Sequence, residues 1–293
     1  MILALSSTLD VCSRRAVLRG GALAVAAGLV PLSGLWAAEE DRELSFVVKD
    51  EFGTALVENI KTLLKSVAHE IWKHCPQTKF LGQGFSIYRN KQFPITHFKR
   101  ENDRIVIGLN TENTFWAQYS YQFAHEFCHA LIDHTRDEQK KWHHTSHANH
   151  WLDECLSETA SLFALRAMSE TWKTTPPYAN WKSFAPKLAE YVEGRRKEPQ
   201  HQLPEGKSFK DWFREELSGL RDKPTQREKN TIIAFQFLPL FEAEPSGWES
   251  ITAIKLADRD DKKPLEAHLA EWHANARTEH QPFVAKLQQL LLP

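Results

Sequence analysis

Short apolar runs in the first part of the chain have the length and composition of β-strands. They are rich in β-branched and aromatic residues and occupy residues 44–48, 85–88 and 105–109. Between the first two runs, residues 56–75 repeat apolar side chains at the spacing of an amphipathic helix. This part of the chain therefore predicts a small sheet together with one helix.

After residue 113 the pattern of apolar positions is helical almost throughout. The breaks coincide with proline-containing segments, at Pro176-Pro177, residues 199–206, Pro224, Pro245 and Pro264. The pattern predicts an α+β fold in which a small N-terminal mixed sheet lobe, residues 39–113, is followed by a mainly helical lobe, residues 114–293. About 255 residues are enough to enclose a sizeable hydrophobic core.

A predicted buried helix over residues 115–134 carries the pentapeptide His-Glu-Phe-Cys-His at residues 125–129. Neither proline nor glycine interrupts this helix, and large apolar residues precede and follow the pentapeptide. His125 and His129 lie about one turn apart on the same helix face, so both imidazoles can bind one zinc ion. Glu126 is then placed to take a proton from the attacking water. The alternative is a core helix that carries both histidines without a metal.

A catalytic zinc site needs a third protein ligand. A histidine in the metzincin spacing is excluded, because Ile132 and Thr135 stand where that pattern has glycine and histidine. Further histidines follow in and beside a strongly polar stretch, and these are His143, His144, His147 and His150. The polar stretch predicts a solvated loop, where clustered histidines are typical of the protein surface, so none of the four is the predicted third ligand.

Two carboxylates on a second predicted helix are better candidates. Residues 151–160 repeat apolar side chains at helical spacing, and Glu154 and Glu158 lie one turn apart on one face. Glu154 can bind the metal, while Glu158 accepts a hydrogen bond from a ligand histidine and so fixes the tautomer of that imidazole. The predicted metal ligands are His125, His129 and Glu154.

The His-Glu-x-x-His pentapeptide, combined with Trp-Leu-Asp-Glu-x-x-x-Glu at residues 151–158, resembles the gluzincin zinc peptidases, the group that contains thermolysin and the zinc aminopeptidases. The aminopeptidases have a similar Trp-Leu-Asn-Glu segment that supplies the third ligand. Thermolysin-like enzymes have an acidic residue at the position of Glu158 that orients the first zinc histidine. The resemblance covers about residues 104–165. It implies a zincin-like fold, Zn²⁺ as the cofactor, and a metallopeptidase that cleaves peptide or protein substrates with Glu126 as the general base.

The chain departs from these relatives in two respects. The segment between His129 and Glu154 is longer than theirs, and the exopeptidase signature Gly-x-Met-Glu-Asn is absent, so aminopeptidase activity is not implied. In such peptidases a strand beside the metal helix commonly holds the substrate in an extended conformation, and residues 104–110 are a candidate for that strand. An ordinary strand inside the sheet is the equal alternative for these residues.

Two other functions are open at the level of the sequence. One is a zinc hydrolase that acts on a non-peptide or cell-wall amide. The other is a non-catalytic zinc-binding envelope protein, in which one of the histidines between residues 143 and 150 completes a closed site. The residue that stabilises a developing oxyanion is not assigned, and the candidates downstream of Glu158 are Tyr178, Tyr191, His201, His268, His273 and His280.

The first 38 residues have the features of a twin-arginine export signal. Arg14 and Arg15 precede an apolar stretch at residues 20–36, which ends at the small residues Ala37 and Ala38. The alternative is an N-terminal membrane anchor, but the stretch is short and contains glycine and proline. The sequence therefore predicts a periplasmic or secreted protein, exported by the twin-arginine route, with no stable membrane span after the signal is removed.

Charge and cysteine content give further predictions. The net charge is −1, with 37 basic and 38 acidic residues, so nucleic acid is not predicted as a partner. Removal of residues 1–38 leaves Cys75, Cys128 and Cys155. This odd number argues against a disulfide framework and predicts buried free thiols, with one bridge between Cys128 and Cys155 as the alternative.

Overall fold

A four-stranded mixed sheet forms from the apolar runs in the first part of the chain. The computed structural model describes residues 43–49, 51–80, 82–135, 147–256 and 262–292. Strand β1 (Phe46–Val48) pairs in parallel with β2 (Phe85–Arg89), and β2 pairs in parallel with β4 (Ile105–Leu109). Strand β3 (Ile95–Thr96) pairs antiparallel with the other side of β4, so the order is β1-β2-β4-β3 and β3 is an edge strand. Every residue of β4 is buried, which accounts for its uninterrupted apolar sequence.

Helices make up most of the rest of the described chain. The α-helices are α1 (Val57–Trp72), α2 (Trp116–Asp133), α3 (His150–Thr171), α4 (Ala185–Lys197), α5 (Phe209–Asp222), α6 (Arg227–Ala243), α7 (Leu265–Asn275) and α8 (Gln281–Leu291). Short 3₁₀ helices lie at Ala179–Phe184, Pro199–His201, Pro245–Leu256 and Thr278–His280. Helix α3 is central, because it packs against α1, α2, α4 and α6. Its buried residues therefore lie on nearly all sides rather than on a single stripe.

One hydrophobic core joins the sheet to the helices. The rings of Phe46 and Phe85 stack with their centroids 5.2 Å apart, and Phe127 of α2 lies 5.7 Å from Phe85. These contacts join β1, β2 and α2, so the sheet and the helix that carries the two histidines are fixed against each other. The described residues from Glu43 onwards form one compact unit.

The small mixed sheet and the mainly helical remainder confirm the predicted fold class at this coarser level. The predicted strands and the helix at residues 56–75 are present with slightly different bounds, and the two helices predicted around the pentapeptide and Glu154 are α2 and α3. The sequence pattern does not predict β3. Residues 1–38, the predicted export signal, lie outside the described residues. Among the helices that the structure describes, none is long and apolar enough to cross a bilayer.

Candidate metal centre

Helix α2 presents His125 and His129 on one face. Their ring centroids are 5.0 Å apart, as expected for residues one helical turn apart. Phe123 and Phe127 on the same helix are fully buried in the core, and this packing fixes the rotation of the helix about its axis. Both histidines are partly exposed and line a cleft of about 720 Å³.

Helix α3 brings Glu154 against both histidines. Glu154 Oε2 lies 3.5 Å from His125 Nε2, and Glu154 Oε1 lies 3.7 Å from His129 Nε2. One donor atom of each residue lies within 4.8 Å of the others. Two imidazoles and a carboxylate are the donor set of a catalytic zinc site, and tetrahedral bonds of ~2 Å separate neighbouring ligand atoms by roughly 3.3 Å. The three predicted ligands therefore lie together, and their donor atoms fit one zinc ion.

Glu126, the predicted general base, lines the same cleft. Its side chain is buried, and Thr96 of the edge strand β3 donates its hydroxyl proton to it, with Thr96 Oγ1 2.8 Å from Glu126 Oε2. Burial raises the pKa of Glu126 to about 7, although the nearby His125 and the hydrogen bond from Thr96 act in the opposite direction. The structure thus places the predicted base beside the three metal-ligand candidates.

Glu158 lies behind His125, away from Glu154. Its Oε2 is 3.6 Å from His125 Nδ1. Its other oxygen, Oε1, accepts hydrogen bonds from three side chains, namely Tyr121, Arg195 at 3.2 Å and Thr231 at 2.7 Å. Because these donors occupy Oε1, Oε2 is the oxygen that faces the imidazole. Glu158 therefore has the position that the sequence predicts for it.

The carboxylates dominate the electrostatics of this centre. Burial raises the pKa of Glu154 and of Glu158, but the hydrogen bond from His125 and nearby positive charges outweigh it and lower both to about 2. Burial lowers the pKa of His125, and these two carboxylates more than offset this effect and raise it to about 10. Burial lowers the pKa of His129 to about 4. Two ionised carboxylates against two imidazoles favour a bound cation.

The prediction that the histidines after the pentapeptide lie on the surface is wrong for His147 and His150. His147 is 3% exposed, and His150 is the first residue of α3 and lines the cleft next to Glu154. The physical reason is that α3 begins before Trp151, so the helix carries His150 towards the cleft. The spacing of His147, His150 and Asp153 at three-residue intervals is the sequence signal for this arrangement. His143 and His144 lie outside the described residues.

The strand β4 lies inside the sheet and β3 forms its edge. Because β4 pairs with β2 on one side and β3 on the other, it is an ordinary interior strand, which was one of the two alternatives for residues 104–110. The residues that line the cleft from the sheet are instead Ile95 and Thr96 of β3.

Several residues that contact the site belong to no recognisable sequence motif. Tyr121, Arg195 and Thr231, which bind Glu158, come from α2, α4 and α6. Among the six downstream candidates for an oxyanion-stabilising residue, all of which the structure describes, Tyr191 is the one that lines the cleft. Tyr191 and Arg195 are four residues apart on α4, so the sequence predicts that both side chains lie on the same helix face. It does not predict that this face contacts α3.

The cysteines beside the metal-ligand candidates are free thiols. Cys75, Cys128 and Cys155 are all buried and unbridged, which confirms the predicted state and not the alternative disulfide. Burial raises the pKa of Cys128 and of Cys155, so neither thiol is ionised at neutral pH.

No protein-family model, curated protein or solved structure matches this chain significantly. The likeness to gluzincins is therefore a likeness of short motifs. A proposal of function has to rest on the chemistry of the site.

Proposed function

We propose that this chain is a zinc-dependent metallopeptidase of the gluzincin type. The observation that carries the proposal is the convergence of His125, His129 and Glu154 with Glu126 in a single cleft. The donor set fits zinc, with an open side towards the cleft. When bound, Zn²⁺ supplies a Lewis acid that polarises the scissile carbonyl and lowers the pKa of the attacking water.

Glu126 acts as the proton carrier in this proposal. Its carboxylate accepts the proton of the attacking water and returns it to the nitrogen of the leaving amine. Thr96 holds Oε2 at 2.8 Å, so Oε1 is the oxygen that exchanges the proton. Burial keeps bulk water from competing for this proton.

Glu158 orients His125, one of the proposed metal ligands. With Oε1 held by Tyr121, Arg195 and Thr231, Oε2 faces the N–H of His125 Nδ1 at 3.6 Å and keeps the proton on that nitrogen. This leaves the lone pair of His125 Nε2 for the metal and makes the imidazole a stronger donor.

The edge strand β3 supports a peptide as the substrate. Ile95 and Thr96 line the cleft, and an extended peptide can add to a sheet edge by backbone hydrogen bonds. The cleft also contains Tyr191, whose hydroxyl is the candidate for stabilising the developing oxyanion. The export signal predicted for residues 1–38 supports action on peptides or proteins in the periplasm or outside the cell.

The test is the substitution Glu126→Gln. The variant should bind zinc as the unmodified protein does, while turnover of a peptide library falls by about 100-fold or more. Glu249→Gln is the matched control, because Glu249 is equally buried but lies outside the cleft. Retained turnover in Glu126→Gln would refute the mechanism. Cleavage of peptidoglycan fragments but not of peptides by the zinc-loaded protein would refute the substrate class.

A further inference from the structure

A second group of metal-binding side chains lies at the start of α3. His147 precedes the helix, His150 is its first residue and Asp153 follows one turn later. Asp153 Oδ2 lies 3.4 Å from His150 Nδ1 and 3.8 Å from His147 Nε2. One donor atom from each of the three lies within 4.8 Å of the others.

In the described part of the chain, buried imidazole nitrogens in and beside this group have no hydrogen-bond partner. Among the described residues, buried His147 Nε2 has no hydrogen-bond partner, because its contact with Asp153 Oδ2 is 3.8 Å long. His268 of α7 is 2% exposed, both of its ring nitrogens lack a partner, and its ring centroid lies 5.6 Å from that of His147. Burying polar atoms without hydrogen-bond partners is unfavourable. A metal ion that accepts the lone pair of His147 Nε2 removes this penalty for that nitrogen.

We propose that His147, His150 and Asp153 bind a second divalent transition-metal ion of the zinc class, next to the ring of His268. The separations of 3.4 and 3.8 Å match the roughly 3.3 Å expected between ligands of a tetrahedral zinc ion. Imidazoles with one carboxylate favour zinc-like ions over magnesium or calcium, which prefer oxygen ligands.

The second site is mostly buried, although His150 lines the cleft. His147 and Asp153 are each 3% exposed, and the ring of His268 from α7 lies beside that of His147. An ion held here fixes the start of α3 beside α7. Asn149 makes a connection of the same kind, because its amide donates to the backbone carbonyl oxygen of Lys263, 3.1 Å away and next to the start of α7.

His150 connects the second site to the first. Its Nδ1 faces Asp153, while its Nε2 lies 3.7 Å from Glu154 Oε1. The same oxygen lies 3.7 Å from His129 Nε2. A metal on Nδ1 places the proton of His150 on Nε2, where it points towards Glu154. The second ion therefore positions Glu154, a proposed ligand of the first ion.

The inference is independent of the proposed peptidase activity, because metal content is measured without a substrate. The full chain is loaded with Zn²⁺, freed of excess metal, and its zinc content is measured by mass spectrometry. We expect two equivalents in the unmodified protein, one in His125→Gln/His129→Gln, one in His147→Gln/His268→Gln, and none when all four histidines are replaced. The control His134→Gln, a buried histidine outside both groups, should keep two.

The variant His125→Gln/His129→Gln decides the question even if replacement of His147 and His268 prevents folding. It leaves the second group intact and should bind one equivalent of Co²⁺ with the visible absorption of a tetrahedral site. Folded His125→Gln/His129→Gln protein that binds no Co²⁺ would overturn the proposal. So would an equal metal content in the unmodified protein and in His147→Gln/His268→Gln.

Discussion

Thr96 donates its hydroxyl proton to the carboxylate of Glu126. Thr96 Oγ1 lies 2.8 Å from Glu126 Oε2, and the same atom lies 2.8 Å from the backbone carbonyl oxygen of Glu126. Thr96 belongs to the edge strand β3, whereas Glu126 lies on α2 beside His125. The contact therefore joins the edge of the sheet to the proposed base and fixes the direction of its carboxylate.

Thr96→Val should reduce kcat while leaving metal content unchanged. Valine has the shape of threonine but no hydroxyl, so the Glu126 carboxylate loses the donor that holds it. A hydrogen bond to a charged group contributes ~1.5–3 kcal/mol, which corresponds to a fall in kcat of about tenfold or more. Steady-state kinetics on a peptide substrate separates this effect from a change in KM.

Thr96→Ser is the control for this prediction, because serine keeps the hydroxyl and loses only a methyl group. Its kcat should lie close to that of the unmodified protein. If the valine and serine variants show the same kcat, Thr96 does not position Glu126.

Glu158→Gln should weaken zinc binding about 10- to 100-fold. Glutamine keeps the shape of the side chain, but its amide cannot supply the negative charge that faces His125 Nδ1 at 3.6 Å. His125 then becomes a weaker donor and is free to adopt the wrong tautomer. Competition for zinc against a chromophoric chelator measures the change in Kd.

The control for the loss of a buried carboxylate is Glu249→Gln. Glu249 is 3% exposed, accepts a hydrogen bond from the backbone N–H of Gln77 and does not line the cleft. The zinc affinity of the Glu249→Gln variant should equal that of the unmodified protein. A Kd for Glu158→Gln equal to that of the control would show that Glu158 does not act on His125.

The sequence predicts the metal-ligand candidates because each pair is encoded locally. His125 and His129, and likewise Glu154 and Glu158, are four residues apart, and helical geometry alone puts each pair on one face. What the spacing cannot encode is which helices meet. The resemblance to gluzincin motifs predicts that these two helices meet, and α2 packs against α3 in the structure.

The residues that the sequence does not predict belong to short or distant elements. β3 has two residues, too few to show an alternating pattern, so Thr96 could not be placed. Thr231 and Arg195 reach Glu158 from helices far along the chain, and only tertiary packing brings them together. The polar residues before His147 and His150 hide the start of α3, so the sequence pattern wrongly predicts that both histidines lie on the surface.

The three described cysteines should react with a thiol reagent only after unfolding. Cys75, Cys128 and Cys155 are buried, and burial raises the pKa of the latter two, so neither access nor thiolate is available in the folded protein. The experiment uses the chain with Cys12→Ser and counts reactive thiols with and without denaturant. Three thiols are expected in denaturant. A single reactive thiol without reductant would instead indicate a disulfide between Cys128 and Cys155.

His134 is buried at the end of α2 and should make the folded protein sensitive to acid. Its Nε2 lies 3.2 Å from the backbone carbonyl oxygen of His97. Burial, together with the charge of Arg100, lowers the pKa of His134 from 6.5 to about 4 in the folded protein. Below pH 6.5 the unfolded chain therefore binds a proton that the folded chain does not. The free energy of unfolding should fall as the pH drops from about 6.5 to about 4, by up to ~1.4 kcal/mol per pH unit from this residue, with no further change below.

His134→Gln removes this contribution, because glutamine keeps a donor near the carbonyl of His97 but does not titrate. Urea unfolding of both proteins, carried out from about pH 7 to about pH 4.5, should show a smaller loss of stability in the variant. Loss of metal in acid affects both proteins equally, so the difference between them isolates His134. The control is His69→Gln, the same replacement at an exposed histidine, and its unfolding curves should match those of the unmodified protein. Parallel curves for the unmodified protein and His134→Gln would show that His134 is not held neutral by burial.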